Sequence, residues 1–241
     1  MQDYNTYALK ELLDWQKQML KSPSYFNRFS KRVQTKLNSY IPEKVHTAIT
    51  AAIKQMIKAV LFGSTYTTSK PLEDRSLEVR EAFVTERLKS YKKTAAIEGG
   101  ITGAGGILLG LADFPLLLGI KLKLLFDIAS LYGFDVKDYK ERVYILYIFQ
   151  LAFSSDAHRR QTYEYMIDWD EKKTELPASL DSFDWRNLQQ EYRDYIDLAK
   201  MAQLIPVIGA PVGVIVNSRL IKKLGLTAMN AYRMRLLKTN N

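Results

Sequence analysis

The chain's two histidines are its first candidates for acid–base chemistry, and one of them has reactive neighbours. His158 lies in the segment SSDAHRR, close to Ser155 and Asp156. A hydrolytic triad needs a nucleophile, a base and an acid that converge in space, whereas neighbours on one helix point in different directions around its axis. We therefore interpret the segment as a helix start, with Ser154 or Ser155 as N-cap and Asp156 complementing the helix dipole. No catalytic residue is predicted.

The residue types of the chain give little support for a metal site or a cofactor site. His46 falls in an amphipathic segment, far in sequence from His158, so no His-x-x-x-His pair exists. The chain has no cysteine, which excludes a disulfide framework, a thiol nucleophile and a cysteine-based zinc site. We expect no metal, no cofactor and no enzymatic activity.

A glycine-rich segment is the chain's most distinctive feature. Residues 99–120 read GGITGAGGILLGLADFPLLLGI, and the first twelve positions hold six of the chain's twelve glycines. A phosphate-binding loop needs a lysine and a hydroxyl directly after its last glycine, whereas Gly110 is followed by Leu111 and Ala112. A dinucleotide fingerprint needs a preceding strand, and the preceding KSYKKTAAIE is helical in character. Phosphate binding is therefore not favoured.

Small residues in this segment recur at intervals of four, which allows close helix packing. The rows are Ala95–Gly99–Gly103, Ala96–Gly100–Ala104 and Gly106–Gly110. Such rows are common in membrane helices, but a soluble neighbouring helix can use them equally well. The spacing leaves both interpretations open.

A full membrane span is not favoured by the polar and proline residues in this segment. Asp113 lies past the middle of the apolar stretch, and Pro115 follows it. A central aspartate costs about 2.5–3.5 kcal/mol on insertion scales. We predict a hairpin of two short helices joined near Asp113. The Asp113 side chain would either cap the second helix or be a buried functional acid. The hairpin would dip into a bilayer or be buried in protein.

A second apolar segment resembles the first. Residues 204–216 read LIPVIGAPVGVIV, too short to span about 30 Å of hydrocarbon as a helix. We expect it to lie at the membrane interface or against the first segment. The residues predicted to contact membrane or lipid are Gly99, Gly100, Gly103, Gly106, Gly110, Asp113, Pro115, Pro206, Gly209 and Gly213. Those predicted to contact headgroups are Lys121, Lys123, Arg219, Lys222 and Lys223.

Positive charge is concentrated towards both ends of the chain, which has a net charge of +9. Residues 1–70 hold 11 Lys+Arg against 4 Asp+Glu, and residues 201–241 hold 6 against none. Residues 71–200 hold 18 against 22. Basic surface beside apolar segments suits an anionic membrane leaflet, where each nearby Lys or Arg contributes about 1 kcal/mol. A nucleic-acid partner is not favoured.

Helical periodicity extends over nearly the whole chain. We predict one all-α domain over residues 1–241, with about ten helices, the glycine-rich hairpin at its centre and no strands. A glycine at position 133 is placed to cap the helix before it. Lys123 and Asp127 are spaced to pair on a helix surface. The main predicted helices cover residues 3–20, 42–62, 75–97, 116–132, 138–153, 156–170 and 184–203.

Four runs of sequence resemble the EcsC family. They are AITAAIKQMIKAV, the stretch from GGITGAGG to the LYGFD turn, KERVYIL with LAFSSDAHR, and LIPVIGAPVGVIVN. The resemblance covers nearly the whole chain, and the ADFP block followed by the GFD turn is its most specific part. The family has no established enzymatic activity or cofactor, so the resemblance implies neither for this chain. The family's namesake is encoded beside an ABC transporter, which implies an accessory role at the membrane.

These observations predict a cytoplasmic protein held peripherally at the membrane. It would bind lipid or insert shallowly into the cytoplasmic leaflet, with an anionic membrane surface and an ABC transporter as expected partners. The N-terminal sequence is that of an amphipathic helix and not of a secretory signal. Two alternatives stay open: a soluble adaptor whose core is formed by the apolar segments, and an enzyme acting on a lipid or small molecule.

Overall fold

A computed structural model describes residues 3–21, 67–104, 114–154, 156–176 and 209–237, together with positions 55, 58, 59, 62 and 63. These residues form seven helices and no strand, which confirms the all-α prediction for the described part of the chain. The helices are α1 (Tyr4–Met19), α2 (Leu77–Ala104), α3 (Phe114–Leu131), α4 (Tyr139–Phe153), α5 (Asp156–Ile167), α6 (Trp169–Lys172) and α7 (Gly209–Leu236). Of the helix predicted over 42–62 the structure describes positions 55, 58, 59 and 62, which are helical, and the helix predicted over 184–203 lies outside the described residues.

Local sequence signals fix several helix ends. Gly133 follows α3 with a φ of +90°, and the next amide, of Phe134, donates to the carbonyl oxygen of Ala129 at 3.0 Å. This is the glycine cap that the sequence predicts. At the start of α4, the side chain of Asp138 accepts a hydrogen bond from the amide of Lys140 at 2.9 Å.

Three long helices form the centre of the described structure. Helices α2 and α7 run antiparallel, since Glu81 of α2 pairs with Arg233 of α7, and Leu88 lies against Gly225. Their contact is the most extensive between any two described helices. Helix α3 also runs antiparallel to α2, because the start of α2 meets the end of α3, where the hydroxyl of Tyr132 donates to Glu81 at 2.8 Å. Helix α3 is therefore parallel to α7.

The core of the described residues lies between α3, α4 and α7. Most side chains of α3 and α4 are buried. Aromatic rings join these helices: Tyr132 stacks on Tyr232 with 5.2 Å between ring centroids, and Tyr144 lies 4.8 Å from Trp169 of α6. Helices α5 and α6 continue the chain beside α4, where a single helix over 156–170 was predicted and Asp168 interrupts it.

The antiparallel arrangement brings both glycine-rich segments to the same end of the bundle. Helix α2 continues past its predicted end at residue 97 and includes Gly99, Gly100 and Gly103. Helix α7 begins at Gly209, and Pro115 is the second residue of α3. We call the end at which α2 finishes and α3 and α7 begin the glycine end. Residues 105–113 lie outside the described residues, so the hairpin turn stays a prediction.

Candidate functional site

An exposed face along the middle of α7 combines apolar and basic side chains. Ile215 is 50% exposed and Leu226 is 45% exposed, with Arg219 and Lys222 exposed between them. These four residues are spaced i, i+4, i+7 and i+11, which places them on one side of a helix. Large apolar side chains and cations therefore face solvent together.

Helix α2 adds similar residues beside this face. Ile97 is 56% exposed, Lys89 and Lys93 are exposed, and Lys92 is half-buried. The pairings of Glu81 with Arg233 and of Leu88 with Gly225 set a register that continues along two antiparallel helices, so that Ile97 lies level with residue 216 of α7. Ile97 is nine residues beyond Leu88, half a turn around the helix, so it points away from α7. We call the set Lys89, Lys92, Lys93, Ile215, Arg219, Lys222 and Leu226 the basic apolar face.

The basic apolar face has no acidic residue of its own. Neither residues 87–97 of α2 nor residues 215–226 of α7 include an aspartate or glutamate. Helix α1 lies over the opposite end of the α2–α7 pair, where Tyr4 donates to Glu81 at 2.7 Å and Arg233 donates to Glu11 at 2.9 Å. Glu86 and Glu98 flank the α2 part of the face, Glu78 and Glu81 lie towards the opposite end, and α7 has no acidic residue.

The lysines and arginine predicted to contact headgroups fall into different environments. Arg219, Lys222 and Lys223 are exposed on α7. Lys123 forms the predicted i, i+4 ion pair with Asp127, whose other carboxylate oxygen accepts from the hydroxyl of Tyr91 at 2.8 Å.

Lys121 is not the surface lysine that the sequence interpretation assumed. It is 7% exposed, on the inner side of α3, and burial lowers the pKa of its ammonium group to about 8. It lies two residues from Lys123, about 200° around the helix, so the two lysines point to opposite sides. A contact between Lys121 and the headgroups of a membrane surface would therefore require a group that reaches the interior.

Asn217 of α7 is a second buried polar residue near the glycine end. It is 3% exposed, and its side-chain nitrogen Nδ2 is buried without a hydrogen-bond partner. Buried side-chain polar groups are normally satisfied, so an unpaired donor requires an explanation. Spacing in sequence does not point to Asn217, because nothing in its neighbourhood distinguishes it from a surface asparagine.

A buried ion pair connects α2 with α7 at the opposite end. Arg233 donates from Nε and NH2 to the two carboxylate oxygens of Glu81 at 2.7 and 2.6 Å. Tyr4 and Tyr132 donate to the same carboxylate, and burial together with this carboxylate raises the pKa of the Tyr132 hydroxyl. With both oxygens already accepting two hydrogen bonds each, Glu81 is suited to holding helices together and not to proton transfer.

A second buried carboxylate joins α4 to α7. Glu141 accepts from Tyr232 and from Arg235, each at 2.7 Å. Burial raises the pKa of the Glu141 carboxyl, against the opposing effect of Arg235. The Arg235 guanidinium also lies 3.7 Å from the ring centroid of Phe134, a cation–π arrangement. Sequence reasoning missed both pairs, since their members are far apart in the chain.

The remaining predicted residues are located as follows. The backbones of Gly99, Gly100 and Gly103 lie in α2, those of Gly209 and Gly213 in α7, and that of Pro115 in α3. Gly106, Gly110, Asp113 and Pro206 lie outside the described residues.

His158 is half-buried in α5, which begins at Asp156. Among the described residues no group of three or more His, Cys, Asp or Glu side chains is arranged to hold a metal.

Sequence comparison matches nearly the whole chain to one protein family. The model of the EcsC protein family matches residues 6–237. The chain belongs to the EcsC protein family. It is 48% identical over 235 residues to Protein EcsC of Bacillus subtilis (strain 168), covering 97% of each chain. It is also 28% identical over 247 residues to Uncharacterized protein YdbA of the same strain, covering 94% of this chain and 90% of that protein.

No solved structure matches this EcsC-family chain. The described part of the chain contains no helix that is both long enough and apolar enough to cross a membrane.

Proposed function

We propose that this EcsC-family protein is a non-enzymatic accessory protein that docks on an anionic membrane surface through its basic apolar face. The observation that carries the proposal is the composition of that face, in which exposed cations surround exposed isoleucine and leucine side chains. Such a combination suits a helix face lying at a membrane interface. Docking on the cytoplasmic leaflet would place the protein beside membrane-embedded partners, an ABC transporter among them.

Binding of this face to an anionic membrane would gain both electrostatic and hydrophobic free energy. Each Lys or Arg close to an anionic leaflet contributes about 1 kcal/mol, and several can do so at once because they share one face. Burying exposed apolar side chains adds about 25 cal/mol per Å² of apolar area removed from water. Arg219 and Lys222 lie between Ile215 and Leu226 on α7. Contact of this face with a membrane would therefore gain the electrostatic attraction and the apolar burial together.

Vesicle co-sedimentation tests the proposal directly. We expect the wild-type protein to sediment with phosphatidylcholine vesicles that contain phosphatidylglycerol, and to remain in the supernatant with pure phosphatidylcholine. The double variant Arg219→Glu with Lys222→Glu removes two attractions, which together weaken binding about 30-fold or more. Added salt should weaken wild-type binding, because exposed charges are screened.

A second double variant controls for net charge. Lys137 and Lys140 are exposed near the start of α4, at the end of the bundle away from the basic apolar face. Replacing both with glutamate gives the same change in net charge and should reduce vesicle binding much less. Equal losses in the two double variants would overturn the assignment of the face. If the wild-type protein stays in the supernatant with both vesicle types at low salt, membrane docking is wrong, and the soluble adaptor becomes the better description.

A further inference from the structure

Two buried polar side chains near the glycine end lack the partners that such groups normally have. The Nδ2 of Asn217 is buried and makes no hydrogen bond. Lys121 is more than nine-tenths buried, and no carboxylate lies within ion-pair distance of it in the part of the chain that the structure describes. Both side chains are hydrogen-bond donors, so the missing partner is an acceptor.

The packing of α3 against α7 places these two donors on facing sides of parallel helices. The stacked rings of Tyr132 and Tyr232 fix the register near the far end of the bundle. Lys121 precedes Tyr132 by eleven residues, about three turns, and therefore lies on the same side of α3. Asn217 precedes Tyr232 by fifteen residues, about four turns. Lys121 is thus level with Ile221, and Asn217 lies one turn, or about 6 Å, further towards the glycine end.

The surroundings of the two donors are apolar. Leu118 and Leu122 of α3 and Ile221 and Leu224 of α7 are fully buried on neighbouring turns. Three buried carboxylates of the adjoining helices are engaged elsewhere: Asp127 with Lys123 and Tyr91, Glu81 with Arg233, and Glu141 with Arg235. An acceptor that joins Lys121 and Asn217 is therefore a group other than these three carboxylates.

We propose that Lys121 and Asn217 bind the acid group of a single-chain amphiphile, with its chain lying against the leucine and isoleucine side chains around them. An ammonium and an amide N–H together suit an oxyanion, and hydrogen bonds to charged groups are the stronger ones. A fatty-acid carboxylate and a lysophospholipid phosphate share this chemistry. The site goes beyond surface docking because it uses interior residues, and it does not depend on vesicle binding.

Calorimetric titration of delipidated protein tests the site, with monomeric oleate, lysophosphatidate, methyl oleate and inorganic phosphate as separate probes. We expect the wild-type protein to bind oleate or lysophosphatidate, and to bind methyl oleate and phosphate much more weakly. Lys121→Met and Asn217→Leu should each weaken binding of the preferred probe by about tenfold or more. Thr227→Val is the matched control, since Thr227 is buried on the same helix and donates to its own helix carbonyl at Lys223.

Each outcome separates this site from the docking surface. Wild-type protein that binds neither oleate nor lysophosphatidate overturns the proposal, even if it still sediments with vesicles. Methyl oleate binding as tightly as oleate overturns the role of the acid group, and phosphate binding as tightly as lysophosphatidate overturns the role of the chain. Circular dichroism and thermal unfolding confirm that each variant is folded. Retained binding in the variant with Arg219→Glu and Lys222→Glu, together with loss in Lys121→Met, supports an interior site that is distinct from the basic apolar face.

Discussion

A lysine in an apolar interior should lower the stability of the unliganded protein, and the effect has a defined pH dependence. Burial lowers the pKa of Lys121 from 10.5 to about 8. Between pH 8 and 10.5 the unfolded chain binds more protons at this residue than the folded protein, so stability rises with pH across that window. Below about pH 8 the lysine is charged in both states, and the cost stays near its maximum of about 3 kcal/mol. Asp127 and Glu141 do not offset it, since they pair with other residues.

Lys121→Met should therefore stabilise the protein at pH 7 by about 2–3 kcal/mol and flatten the rise in stability between pH 8 and 10. Urea unfolding at pH 7, 8, 9 and 10 measures both effects. Lys93→Met, at an exposed position of α2, should change stability by less than about 0.5 kcal/mol. A Lys121→Met variant that is less stable than wild type at pH 7 would contradict the assignment of an uncompensated buried charge.

Residue pairs that are local in sequence were predictable, and distant pairs were not. The Lys123–Asp127 pair follows from helical spacing alone and is present. Glu81 and Arg233 are joined only by the packing of α2 against α7, and periodicity identifies the face of a residue but not its partner. The spacing of Lys121 and Lys123 did carry a usable signal. Residues two apart on a helix cannot both face one membrane surface, so at most one of the two lysines could make the predicted headgroup contact.

At the scale of helices, Gly225 controls how closely α7 approaches α2. A Cβ atom built on Gly225 would overlap the side chain of Leu88. Gly225→Val should therefore destabilise the protein by about 1–3 kcal/mol, as overpacking of a core does. Combining it with Leu88→Ala removes the overlapping atoms and should recover part of the loss, which thermal and urea unfolding of both variants would show. If the double variant loses as much as the sum of the two single changes, the contact does not set the helix separation.

Helix ends were predicted best where a cap or proline marks them. The helices predicted over 3–20 and 138–153 correspond to α1 and α4, and the cap at Gly133 is confirmed. The helix predicted over 75–97 ends before Gly99, whereas α2 continues through Gly99, Gly100 and Gly103. The prediction stopped early because each glycine disfavours an isolated helix by roughly 0.8–1.0 kcal/mol. Helix α7 runs alongside α2, and tertiary packing overrides such propensities.

At the scale of the whole molecule, the described helices carry different chemistry at their two ends. At one end, Glu81 and Arg233 are buried and fully paired beneath α1. Towards the glycine end lie the exposed cations and apolar side chains of the basic apolar face and the unpartnered Lys121 and Asn217. This asymmetry could not be read from charge along the sequence, since it depends on the antiparallel packing of α2 and α7.

The asymmetry predicts a fixed orientation of the protein on the membrane. Because the chain has no cysteine, a single introduced thiol can be labelled to measure that orientation. Ile215→Cys and Leu236→Cys introduce single thiols at exposed positions near opposite ends of α7, about 30 Å apart. An environment-sensitive fluorophore attached at residue 215 should shift to shorter wavelength when phosphatidylglycerol-containing vesicles are added, because it enters the interface. The same fluorophore at residue 236 should shift much less, since that position lies beyond the basic apolar face on α7. Equal shifts at both positions would show that the basic apolar face does not direct docking, even if the protein sediments with vesicles.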